Sequence, residues 1–183
     1  MHKIKEFPNG LRLIYQQHIS EISHFGIIVN AGTRDESEEI MGMAHFIEHM
    51  LFKGTEKRRA LQIINRLEEV GGEMNAYTSK EKTCIYASFT SGYLARAVDL
   101  LTDIAFNSNF PQKEMEKEKK VILEEIDMYA DTPEERINDE FQELLFKNHP
   151  LGFNILGTPE TLNAITQQQT KDFISNFYQP QNI

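Results

Sequence analysis

The sequence predicts an α+β fold in which helices pack on one face of a mostly antiparallel sheet. Two observations carry this. Alternating or β-branched apolar runs crowd into the first half of the chain, and from Tyr93 onward the apolar residues recur at helical spacing. A third concerns size: 183 residues with 40% hydrophobic content suffice for one core and are short for two, so a single domain over residues 1–183 is expected.

The elements follow in order. "EFPNGLRLIYQQ" has a Pro-Asn-Gly turn followed by Leu11, Leu13 and Tyr15 at period two, which marks a hairpin. "SHFGIIVNAGT" supplies a third strand, and its consecutive Ile27, Ile28 and Val29 suggest burial on both faces. A helix is expected from about Glu39 to Phe52, stopped by Gly54, and a second from about Arg59 to Val70, stopped by Gly71 and Gly72. "EMNAYTS" and "KTCIYASFT" read as two strands joined by a polar Ser-Lys-Glu-Lys turn. Further helices are expected near 92–106, 111–130, 133–147 and 166–178, with Pro111 and Pro133 at first-turn positions. The sequence contains no internal repeat, low-complexity tract or flexible linker. Tyr178, Pro180 and Asn182 form a turn leading toward another strand, so the domain reads as cut short before its last strand.

Composition narrows the function. A net charge of -9 argues against nucleic acid, whose binding draws on clustered cations. Lys57, Arg58 and Arg59, with Lys53 nearby, read as a solvated loop. Cys84 is the only cysteine, which excludes an intrachain disulfide and suits a reducing compartment. The start "MHKIKEFPNG" lacks the apolar region of a secretory signal, and Glu6 with no arginine does not suit a transit peptide. No stretch approaches the roughly 20 apolar residues that cross a bilayer. A cytoplasmic protein without membrane or nucleic-acid partners is expected.

The chemistry concentrates in "MGMAHFIEHMLFKGT". His45 and His49 stand four apart, so a helix presents both imidazoles on one face about 5 to 6 Å apart at Cβ, a spacing that suits zinc. Glu48 projects beside the pair and can take a proton from a water on the metal. Five residues can also arise by chance on an ordinary amphipathic helix. Met41, Met43, Ala44, Phe46, Ile47, Met50 and Leu51, however, make this helix apolar almost all round, and buried ionisable groups need partners. A catalytic zinc commonly takes a third protein ligand. The helix "KEMEKEKKVILEEIDMY" offers Glu118, Ile122, Glu125 and Tyr129 on one stripe and Glu124 about 100° away, and helical geometry alone leaves Glu124 and Glu125 both open.

Six ordered blocks then resemble one family: "NAGTRDE", "GMAHFIEHMLFKGT", "GGEMNAYTSKEKT", "EKKVILEEIDMYADTPEER", "HPLGFNILGTPETLNAIT" and "FYQPQNI" are similar to segments of the pitrilysin and mitochondrial processing peptidase family, the inverted His-x-x-Glu-His zinc peptidases. The resemblance runs from about Lys5 to Ile183. It implies that His45, His49 and Glu125 are zinc ligands, that Glu48 is the general base, and that Glu118 orients the site from behind. It further implies that Asn75 and Ala76 lie on a sheet edge where an extended peptide pairs, with Phe52 lining a pocket. Members carry two or more related domains that form a clamshell, so this chain resembles the N-terminal catalytic domain of a two-domain protein, with a second homologous domain or subunit as partner and a homodimer as one arrangement. The implied activity is zinc-dependent endopeptidase cleavage of unfolded peptides or presequence-like segments, nearly absent in the isolated fragment. The alternative is a non-catalytic peptide-binding or scaffold subunit of the same fold. A purely structural metal site would want a fourth ligand from His18, His24 or Cys84, none of which stands at a metal-binding spacing.

Overall fold

The computed structural model describes residues 2–183, the side chain at position 135 excepted. The Pro8-Asn9-Gly10 turn closes a hairpin of β1 (Lys3–Glu6) and β2 (Arg12–Tyr15), in register Lys3↔Tyr15. Gly10 takes φ +89°, which an L side chain resists, and the Phe7 N–H donates to Leu11 O at 2.8 Å. A second antiparallel sheet has the order β3-β5-β4, from β3 (Ile22–Val29), β4 (Glu73–Thr78) and β5 (Thr83–Thr90). The central strand is β5, so β4 is an edge.

Alternation along β3 sends Ile27 and Val29 inward, but Ile28 faces the other way and is 53% exposed. The expectation of burial on both faces is therefore corrected. Among the described residues the helices cover one face, and Ile28, Tyr77 and Tyr86 stand exposed on the other. Against the covered face pack α1 (Met43–Met50), α2 (Ala60–Glu68) and α3 (Leu94–Phe106). The core joins Phe46, Met50 and Leu51 to Ile85 and Phe89 of the sheet and to Leu100, Leu101 and Ile104 of α3. Beyond α1 lies α4 (Gln112–Ala130), followed by α5 (Pro133–Leu145), α6 (Pro159–Ala164) and α7 (Gln167–Phe177).

Beyond shifts of one or two residues at helix ends, one boundary and one element differ from expectation. The helix expected from Glu39 starts at Met43 because Gly42 adopts φ +87°, and a Cβ there would lie 2.6 Å from the Leu156 carbonyl oxygen; residues 38–40 form a separate 3-10 turn. The six-residue α6 is too short for a periodic signal, though its capping box is written in Thr158, Pro159 and Thr161: the Thr161 N–H donates to Thr158 Oγ1 at 3.2 Å and the Thr158 N–H to Thr161 Oγ1 at 3.0 Å.

Polar ties fix the helices that matter for the site. Lys119, buried within α4, donates from Nζ to the carbonyl oxygens of Asn163 and Ile165 at 2.9 and 2.8 Å, closing the C-terminal end of α6. The loop after α1 is pinned to α3 by Arg58, which pairs with Asp103 and Asp99, while Thr55 Oγ1 donates to Asp103 at 2.8 Å. Arg58 is thus not the solvated cation expected from sequence. Among the described residues no helix is long and apolar enough to cross a membrane.

Candidate metal centre

The site is built where α1 meets α4. Burial of Met43, Ala44, Phe46, Ile47 and Met50 orients α1, and the helix carries His45 and His49 one turn apart with ring centroids 4.7 Å from each other. Its first turn is held from outside the helix. The buried carboxyl group of Glu36 accepts from the Gly42 N–H at 2.8 Å and the Ala44 N–H at 2.7 Å, answering donors that a helix start leaves unpaired. Burial pushes the Glu36 carboxyl up to about 8, against the pull of those two amides and the nearby Lys80 ammonium.

From α4, Glu125 brings Oε2 to 3.9 Å from His45 Nε2 and 3.6 Å from His49 Nε2. One atom from each of the three residues lies within 4.8 Å of the other two. Four tetrahedral bonds of about 2.1 Å set ligand atoms about 3.4 Å apart, so two imidazole nitrogens and a carboxylate oxygen at these separations fit a zinc ion with small adjustment. Glu124 is exposed and stands outside this cluster, whereas Glu125 is part of it. Burial first, and then the charge of His49, lowers His45 to about 4, so it is neutral at physiological pH, the form that ligates. Its buried Nδ1 has no hydrogen-bond partner among the described residues.

The groups behind the cluster are equally ordered. Glu118 Oε2 lies 3.2 Å from His49 Nδ1, while Glu118 Oε1 lies 2.6 Å from Lys53 Nζ. Glu48 is partly buried at the end of α1, and burial raises its carboxyl above the usual range while the hydroxyl and backbone of Thr78 on β4 pull the other way. A carboxyl with a raised proton affinity beside the His45, His49 and Glu125 cluster is suited to proton transfer.

The remaining expected site residues gather at the β4 edge. Asn75 is exposed on that strand, Ala76 is buried behind it, and the Ala76 N–H is occupied by Asn75 Oδ1 at 2.8 Å. Phe52 and Asn75 line one pocket of about 280 Å³ with Ile64, Leu67 and Met74, and Glu68 and Glu73 sit among its walls. A larger cavity of about 570 Å³ lies further along α4, between Tyr129, α5 and Phe153, and no member of the metal cluster lines it. His24 instead bonds Ser88 at 2.9 Å, and neither it, His18 nor Cys84 joins the cluster.

Three contributors escaped the sequence reading: Glu36, Lys53 and Thr78. Lys53 stood at the detectable spacing of four residues from His49, whereas Glu36 and Thr78 reach the site only through the tertiary fold.

A sequence model of the family described as Insulinase (Peptidase family M16) matches residues 12–159. The uncharacterized zinc protease YmxG of Bacillus subtilis is 38% identical over 176 residues, covering 96% of this chain and 43% of that protein. A protein named probable mitochondrial-processing peptidase subunit beta, from Arabidopsis thaliana, is 36% identical over 177 residues, covering 96% of this chain and 33% of that protein. Among solved structures, a protease from Helicobacter pylori matches with a TM-score of 0.93 at 24% identity, across 100% of this chain and 44% of that one. The chain spans less than half the length of these relatives. With the family match running through most of its residues and the same fold recurring in a solved protease, the chain belongs to the insulinase family of peptidases, peptidase family M16.

Proposed function

We propose that this chain is the catalytic domain of a zinc-dependent metalloendopeptidase that cleaves extended, unfolded peptides. The observation that carries the reading is the convergence of His45, His49 and Glu125 within 4.8 Å, with a fourth ionisable group, Glu48, beside them and outside the donor set. A structural zinc site would close with four ligands; three ligands and a spare carboxylate are the catalytic pattern. When bound, zinc supplies Lewis-acid polarisation of the scissile carbonyl and acidifies a water.

The chain's own residues do the rest. Glu48 takes the proton of the attacking water and later delivers it to the leaving amine, and Thr78 holds that carboxyl in place. Glu118 keeps His49 turned so that Nε2 faces the cluster. The β4 edge receives the substrate backbone as an added strand, for which Asn75 must release the Ala76 N–H. One substrate side chain enters the pocket of Phe52, Ile64 and Met74, where Glu68 and Glu73 favour an apolar stem with a basic neighbour. Presequence-like segments, basic and amphipathic, meet that description, and the name of the Arabidopsis relative supports the same class. The relatives' greater length supports a second half that closes over the site as the other shell of a clamshell.

The test is Glu48→Gln in the full-length protein, because hydrolysis is expected to be nearly absent in the isolated domain. Zinc measured by elemental analysis should stay at about one per chain, while hydrolysis of a quenched fluorescent peptide falls by at least three orders of magnitude, because a base is lost and no ligand is. Retained hydrolysis would remove Glu48 from the mechanism. Zinc bound to the full-length protein with no hydrolysis of any unfolded peptide would favour a peptide-binding subunit instead.

A further inference from the structure

Glu118 is only 7% exposed, and a buried carboxylate needs partners for both oxygens. It has them. Oε2 meets His49 Nδ1 at 3.2 Å, and Oε1 meets Lys53 Nζ at 2.6 Å. A carboxylate oxygen can only accept, so the imidazole donates Nδ1–H to it, and that tautomer leaves the lone pair on Nε2, the nitrogen 3.6 Å from Glu125. Lys53 follows His49 by four residues in the turn that continues α1, where the Lys53 N–H donates to Met50 O at 3.1 Å, so the ammonium is delivered by the same helix that carries the histidine.

We propose that Lys53 is a positioning residue of the metal centre: by holding Oε1 of Glu118 it keeps that carboxylate turned toward His49 and outside the donor cluster. The inference rests on reading His45, His49 and Glu125 as the metal ligands. Without the ammonium, Glu118 Oε1 is unpaired in a buried site, and the carboxylate gains by rotating toward any nearby cation. Glu118 would then stop orienting His49 and compete for the position that the reacting water needs. Lys53 is thus tied to the chemistry through one intermediary, Glu118, and touches neither ligand nor substrate.

The experiment measures zinc affinity of the full chain by competition with a chromophoric chelator, together with the urea midpoint of the metal-free protein. Lys53→Met should weaken zinc about tenfold, the lower end of what a supporting partner contributes. Lys53→Arg should recover affinity to within threefold of the unaltered chain, because it restores the cation. In a Glu118→Gln background, Lys53→Met should change affinity less than twofold, since the residue through which it acts is gone. Unaltered affinity in Lys53→Met would overturn the proposal. So would a tenfold loss that persists beside Glu118→Gln, or a loss that Arg does not repair. A shift confined to the metal-free urea midpoint would assign Lys53 to holding α1 on α4 and would likewise overturn it. Should Lys53→Met not fold, Lys53→Leu removes the same donor, and its affinity is judged by the same limits. Failure of the unaltered chain to bind zinc would instead overturn the assignment of the metal site itself.

Discussion

Glu36 makes the protein's stability depend on pH in a direction opposite to that of most carboxylates. Burial raises its folded pKa from 4.5 to about 8, so the folded state binds a proton that the unfolded chain gives up. The stability this contributes is complete below about 4.5 and is lost as the pH climbs through about 8. Between pH 5 and pH 7 nearly the whole linkage slope applies, which amounts to about 2.5 kcal/mol. With a urea slope of about 2 kcal/mol per molar, the midpoint falls by about 1.2 M over that span. His45, whose pKa is lowered, works the other way, gaining stability as pH rises toward 6.5, so the Glu36 contribution must be isolated by difference. Glu36→Gln cannot ionise and keeps one acceptor for the α1 amides. Urea unfolding of both proteins from pH 5 to pH 8, with chelator present, should show the unaltered chain more stable at pH 5 and its advantage shrinking by 2 to 3 kcal/mol by pH 7. A constant difference across that range would refute the raised pKa. A growing one would show that the two amides and Lys80 hold the group ionised.

Three further outcomes are expected. Glu125→Gln should reduce zinc affinity by at least tenfold while Glu124→Gln, on the exposed face of α4, leaves it unchanged; equilibrium dialysis decides, and the reverse order would break the ligand assignment. Arg58→Met should cost about 3 kcal/mol by urea unfolding, because Asp103 is 2% exposed and would be left charged without its guanidinium; a cost under about 1 kcal/mol would mean Thr55 and Asn107 alone satisfy it. Gly42→Ala should cost about 3 kcal/mol, combining an unfavourable positive φ with a Cβ placed 2.6 Å from Leu156 O, and should weaken zinc as α1 shifts; a midpoint within 0.3 M of the unaltered chain would show that the loop yields freely.

Much of this was legible before any coordinates. The hairpin, the strands of the second sheet and the long helices follow from period-two and period-3.6 patterns, because burial on one face imposes those periods wherever an element is long enough. The α1 boundary was not, since the apolar residues before Met43 continue the pattern and only the packing of Gly42 against the Leu156 loop stops the helix there. The His45 and His49 pair was visible because a single turn creates it. Its counterpart on α4 was visible only as a stripe with two candidate glutamates, of which Glu125 lies within the cluster and Glu124 is exposed. Glu36 and Thr78 left no periodic trace, as each reaches α1 across a loop or a strand. The charge cluster at 53–59 misled because Lys53 and Arg58 meet carboxylates on α4 and α3, far along the chain.

The site's two halves are contributed by helices whose facing residues, His49 and Glu118, are 69 positions apart, with β4, β5 and α3 laid down between them. In an unfolded chain the histidine pair alone is within local reach, and closing so long a loop around an ion carries an entropic cost of several kcal/mol. Zinc therefore engages its full ligand set only after the sheet and both helices are in place. An interaction absent from the folding transition state leaves the folding rate alone and slows unfolding. The ion would act as a latch on an already folded chain: loaded and metal-free protein should refold at similar rates, while the loaded form persists longer once made.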